Sequence, residues 1–207
     1  MAARRSTGTS ATTDESTGST DPTGTVAPDA TTAAFDAPIP APTERRAAAR
    51  ALRKMVARSA HAAWEAGVDR PDPVELLVEQ SRSRVPELVP LRFARMAQSP
   101  FAFLRGSALV MAHDLATTTD AGLEVRLCGD AHLANFGMFA SPERRVVFDL
   151  NDFDEAFPGP FEWDVKRLAA SLVVAARANG FDRLTARRAV LEAVAQYRDW
   201  TERYSTM

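Results

Sequence analysis

Apolar positions along the chain follow two spacings, and each predicts its own kind of element. From Glu44 onward Ala49, Leu52, Met55, Val56, Ala60, Ala63 and Trp64 recur every three or four residues, the period of a helix with one apolar stripe. The turn-rich segment Gly67 to Pro73 interrupts this run, and Val74, Leu76, Leu77 and Val78 suggest a second, short helix. Pro86 and Pro90 bracket another short element ending near Met96. Ser99-Pro100 punctuates again, after which Leu104, Ala108, Met111 and Leu115 mark one stripe of a helix through Leu115. The spacing then shortens: Leu123 to Leu127 alternates, Phe136 to Ala140 is short and apolar, and Arg145 to Leu150 is β-branched and aromatic. Ser141-Pro142-Glu143 separates the last two, which predicts a hairpin. Trp163 to Ala178 and Leu184 to Tyr204 return to helical spacing, with Gly180 where the first of the pair should end. No internal repeat is visible. The order predicts an α+β fold, mainly helical, with a small β-hairpin.

Composition changes this picture at the N-terminus. Residues 1–43 are dominated by Thr, Ser, Ala, Pro, Gly and Asp, with Phe35 the only aromatic. Such a stretch buries too little apolar surface to offset its ordering entropy, so a disordered tail is expected there, ahead of a domain over 44–207. Its Thr repeats are either phosphorylation sites or a plain solvated extension. The longest stretch free of charged residues, His, Gly and Pro is Leu168 to Ala176, nine residues, whereas a bilayer span needs about 20. No membrane partner is expected. The formal charge of -2, from 25 basic and 27 acidic residues, points to no polyanionic partner, and nucleic acid is not expected. Arg45, Arg46, Arg50, Arg53, Lys54 and Arg58 would decorate the first helix, as a phosphate-contacting run or as a solvated face. One cysteine, Cys128, allows no internal disulfide, and Met1 to Ser10 shows no secretory pattern. A cytoplasmic location is expected.

The chemistry gathers in the β region. Cys128-Gly129-Asp130-Ala131-His132-Leu133-Ala134-Asn135 is followed by Phe148-Asp149-Leu150-Asn151-Asp152-Phe153-Asp154-Glu155. Apolar strands running into carboxylates and amides are costly unless those groups line a cleft, are hydrogen-bonded or hold a cation. Asp130 and Asn135 stand five residues apart, the interval of the kinase catalytic loop, in which an Asp accepts the substrate hydroxyl proton and an Asn holds a magnesium ion. The hairpin then delivers a further Asp at a strand end. Phosphoryl transfer asks mainly for positioning and charge neutralisation, and Mg²⁺ takes hard oxygen ligands while keeping several waters, so a carboxylate and an amide suit it.

Gly129-Asp130-Ala131-His132 with Asn135, then Asn151 to Ala156, resembles the pattern of aminoglycoside and choline phosphotransferases: His-Gly-Asp-x-His-x-x-Asn, then Ile-Asp-Phe or Ile-Asp-Trp, then a third Asp opening a helix. The third Asp here is Asp164. It follows Asp152 by 12 residues, similar to the family interval, and Asp149 by 15, so the resemblance favours Asp152 as metal ligand with Asp149 in reserve. It implies Asp130 and His132 as catalytic-loop residues, Asn135 with Asp152 or Asp149 on the metal, and Mg²⁺ and ATP as cofactors. Asp164 would support the catalytic loop, or else cap the helix beginning Val165. His132 either holds the loop and approaches phosphate or is a polar surface residue. Arg105, before Gly106, either binds phosphate with a helix N-terminus or pairs with a carboxylate. Lys166 and Arg167 would cover a helix surface, and His61 and His113 would be structural or exposed.

More closely, Arg53 to Tyr197, about 145 of the 207 residues, resembles domain-of-unknown-function family 2252, placed with the protein-kinase-like superfamily. The matching text includes Val85 to Arg92, Ser99 to Gly106, Cys128 to Gly137, Ser141 to Glu155 and Pro158 to Ser171. The first His of the phosphotransferase motif is Cys128 here, expected to pack at a strand end rather than to react. Nothing before Asp130 reads as a glycine-rich loop followed by a strand lysine. The resemblance places those segments later in a permuted order, so the expectation is a catalytic half without its nucleotide cover. The resulting reading is an Mg-ATP-dependent phosphotransferase with an unidentified small-molecule or protein acceptor and an unknown oligomeric state. A non-catalytic remnant or binding module stands as the alternative. A metallophosphoesterase would need an upstream Asp-x-His and a downstream Gly-Asn-His, and neither is present.

Overall fold

The computed structural model describes residues 40–205, so the tail expected over residues 1–43 lies almost wholly outside the described part. Its last two residues already belong to the first helix, α1 (Pro42–Met55), which opens on a proline with the Glu44 carboxylate accepting from the Ala41 N–H at 3.0 Å. The helical spacing that continues to Trp64 is broken after Met55, and a 3₁₀ turn, Arg58–Ala62, follows. α1 buries none of its residues, so no packing propagates it further. Its cations spread over an exposed surface.

Helix α2 (Pro73–Gln80) starts where the Asp72 carboxylate accepts from the Val74 N–H at 2.6 Å, and α3 (Val89–Met96) grows out of a 3₁₀ turn at Pro86–Leu88. The single helix expected through Leu115 is two, α4 (Pro100–Gly106) and α5 (Ala108–Ala116), separated at Ser107. The Ser107 hydroxyl turns back onto the Leu104 carbonyl at 3.2 Å and completes the break. The apolar stripe continues across it, which is why spacing alone reads one helix. Leu77, Met96 and Val110 from α2, α3 and α5 form the buried core of this half, with Leu76 and Phe93 against it.

The β region holds two antiparallel pairs. Strands β2 (Phe136–Ala140) and β3 (Val146–Leu150) form the expected hairpin, Phe136 opposite Leu150 and Ala140 opposite Val146. β1 (Glu124–Leu127) pairs with β4 (Phe157–Pro160), a strand the sequence did not announce. Its sequence, Phe-Pro-Gly-Pro, lacks two backbone donors, and it works as a strand because it is the edge of a two-stranded sheet. Gly159 is buried there, and a Cβ would come to 2.8 Å from Leu127 Cδ1.

Two long helices close the chain, α6 (Glu162–Ala178) and α7 (Arg183–Tyr204), the latter capped by the Asp182 carboxylate on the Thr185 N–H at 2.7 Å. The mixed architecture of helices with small antiparallel sheets is the α+β class expected. α6 is unusual in what it buries, namely Glu162, Arg167 and Ser171. Its polar side chains hold the chain before β1 and the loop after it: Glu162 accepts from the Ala121 N–H at 2.9 Å, Lys166 reaches the Thr118 hydroxyl at 3.3 Å, and the Ser171 hydroxyl accepts from the Leu133 N–H at 2.9 Å.

Candidate functional site

Between β1 and β2 the chain makes a compact loop, Cys128 to Asn135, that turns on Gly129. This glycine has φ +84°, and any Cβ would run into the Glu155 carbonyl. Only glycine meets both demands. Asp164, at the third position of α6, accepts from the Cys128 N–H at 2.7 Å and from the Gly129 N–H at 3.1 Å. Burial nonetheless raises its pKa above the ordinary carboxylate value, the two N–H donors opposing the rise. The helix-cap alternative for Asp164 falls, since α6 begins two residues earlier.

Asp130 enters a deep ion pair: its Oδ1 accepts from Arg167 Nε at 2.5 Å, and Arg167 is 3% exposed. The same guanidinium donates to the Leu104 carbonyl at 2.6 Å, tying the loop to α4. Arg167 therefore does not cover a helix surface, and Lys166 is half-buried rather than free. His132 is 3% exposed, so its reading as a surface residue is also corrected; its Nε2 lies 3.5 Å from Asp130 Oδ2 and its Nδ1 is buried without a partner. Burial pushes the imidazole below its ordinary pKa, with the Arg167 and Arg105 charges acting the same way and Asp130 against them. The neutral ring is favoured.

Asn135, also buried, donates from Nδ2 to the Asp130 carbonyl at 2.8 Å. That bond fixes which end of the amide is which and leaves Oδ1 as its acceptor. Three ties then set the loop beside the residues after β3. The Asn151 N–H donates to the Asn135 carbonyl at 3.1 Å, the Cys128 thiol donates to the Asp152 carbonyl at 3.2 Å, and Gly129 packs on Glu155. Cys128 is buried at the strand end and burial raises its pKa, which keeps it a thiol.

The result is a cleft of about 630 Å³ into which Asp130, His132, Asn135, Asp152 and Arg105 all face, continuous through shared walls with a second cavity of about 210 Å³. Asp149 is not among them. It sits on β3 opposite Gly137, exposed, with its carboxylate on the neighbouring Leu150 N–H. Arg105 lies in the last turn of α4, not at a helix start, and among the described residues no carboxylate pairs with it.

A family model described as "Uncharacterized protein conserved in bacteria (DUF2252)" matches residues 84–207. The chain belongs to the DUF2252 family. Comparison with curated proteins and with solved structures finds no match. The DUF2252 match takes in the whole Cys128–Asn135 loop, Asp152, Arg105 and α6, so the cleft is built from family sequence. Arg167, Arg92 and Ser171 are the residues sequence reasoning missed. A signal existed: Asp164, Arg167 and Ser171 stand three and four residues apart, a polar stripe on one face of a helix.

Among the described residues no three His, Cys, Asp or Glu side chains cluster as a metal cage. The donors that do share the cleft, the Asp152 carboxylate and the Asn135 amide oxygen, fit a single Mg²⁺ completed by water and phosphate oxygens. Among the described residues no helix is long and apolar enough to cross a membrane.

Proposed function

We propose that this cleft is the catalytic centre of an Mg-ATP-dependent phosphotransferase of the kinase-like superfamily, acting on a hydroxyl-bearing acceptor. The observation that supports it best is the convergence of Asp130, Asn135 and Asp152, residues 22 positions apart at the extremes, on one cleft. Asp130 orients the acceptor hydroxyl and takes its proton as the phosphoryl group is transferred. Arg167 holds that carboxylate in place. Asn135 and Asp152 would hold Mg²⁺, whose chemistry is to neutralise charge on the phosphate oxygens. His132, neutral and wedged beside Asp130, positions the loop.

Transfer of labelled phosphate from ATP to a panel of hydroxyl acceptors tests the reading, together with nucleotide binding. Asp130→Asn should cut transfer by about 10² or more while leaving Mg²⁺-dependent ATP binding within about twofold. Binding of Mg-ATP with no transfer by the parent to any acceptor would favour a binding module, and an Asp130→Asn protein as active as the parent would reject the role of Asp130.

A further inference from the structure

Arginines share the lining of the cleft with its acidic residues. Arg92 and Arg105 line both cavities, and Arg84 joins them in the smaller one. Arg92 is anchored through Nη2, which donates to the Gly106 carbonyl at 2.6 Å and to Gln80 Oε1 at 3.3 Å. Its Nη1 is buried with no partner. A buried guanidinium N–H without an acceptor is costly to leave so.

The nearby carboxylates do not relieve it. Asp130 is engaged by Arg167, Glu155 lies 3.8 Å from Arg84, and Asp152 and Asp154, which line the same cavity, make no ion pair with Arg92 among the described residues. Burial and the adjacent Arg84 charge both lower the basicity of Arg92, with Glu155 in partial opposition. Arg105 has no ion pair among the described residues, and its charge reaches His132. Two guanidiniums thus face a shared space with donors to spare, and like charges stand together.

We propose that Arg92 and Arg105, with Arg84 at the rim, form an oxyanion site that takes a phosphate group. Guanidinium forks match phosphate oxygens in pairs, and two such forks offer more donors than the two oxygens of a carboxylate accept. The carboxylates that share the cavity leave part of the phosphate to a cation. The assignment rests on the transfer reading only for what the phosphate belongs to, the nucleotide or a phosphorylated acceptor.

Calorimetric titration of the full chain with inorganic phosphate, at constant ionic strength in chloride, reads the site without nucleotide or turnover. Phosphate should bind, and Arg105→Gln, which removes a guanidinium with no hydrogen bond or ion pair among the described residues, should weaken it by about tenfold or more. Arg105→Lys, which keeps the charge, should recover part of the loss. A parent that binds phosphate no better than chloride, or an Arg105→Gln protein that binds it as the parent does, overturns the site. A titration with ATP in the absence of Mg²⁺ identifies the source: competition with phosphate assigns the site to the nucleotide, and simultaneous binding assigns it to the acceptor. Phosphate binding without any transfer would leave this site standing while the transferase reading fails; transfer without phosphate binding would do the reverse.

Discussion

The Asp130 carboxylate meets the cleft with one oxygen already taken by Arg167 at 2.5 Å, and the two side chains are 17% and 4% exposed. Removing one member strands the other. Arg167→Met leaves a largely buried carboxylate without its cation and should cost about 3–5 kcal/mol in chemical denaturation. Asp130→Asn keeps an acceptor for Arg167 Nε and should cost about 1–2 kcal/mol, a loss within which activity can still be interpreted. Equal destabilisation by the two would show that the pair is not what orders the loop. Asp130, Asn135 and Asp152 were legible in the sequence because the intervals between chemically distinctive residues survive folding. The burial of Arg167 and His132 was not, since one charged position on a helix and one histidine in a loop look the same whether solvent or a packed neighbour lies beyond them.

At the scale of elements, α6 serves as a rail whose polar stripe fixes the loop. Ser171 is fully buried and accepts from the Leu133 N–H, so Ser171→Ala should orphan a buried donor and cost about 1–3 kcal/mol. Gly129→Ala meets the Glu155 carbonyl as well as a left-handed backbone, and a loss of about 2–4 kcal/mol is expected from the urea midpoint. An unchanged midpoint in either variant would contradict the packing described. The hairpin and the two closing helices were readable because two apolar runs flanking Ser141-Pro142-Glu143 and the Gly180 stop are local signals. The division of α4 from α5 and the pairing of β4 were not. The first falls at one residue, Ser107, which leaves helical backbone without interrupting the apolar stripe, and the second depends on an edge position that makes two prolines tolerable.

For the molecule as a whole, His132 links stability to pH. Its folded pKa lies below the ordinary histidine value near 6.5, so across the interval between them the unfolded chain binds more protons than the folded one. Stability should rise with pH through that window and fall on acidification below about 6.5. His132→Gln should flatten this part of the profile; a slope unchanged in that variant would place the titrating group elsewhere. The central claim is that Asp152, not Asp149, completes a Mg²⁺-nucleotide site with Asn135. Its most direct test is calorimetric measurement of ATP binding by the full chain with and without Mg²⁺, in the parent, Asp152→Asn and Asp149→Asn. Mg²⁺ should strengthen ATP binding in the parent and in Asp149→Asn, and Asp152→Asn should lose about tenfold or more of that enhancement. Enhancement that survives in Asp152→Asn, or that disappears in Asp149→Asn, would contradict the account.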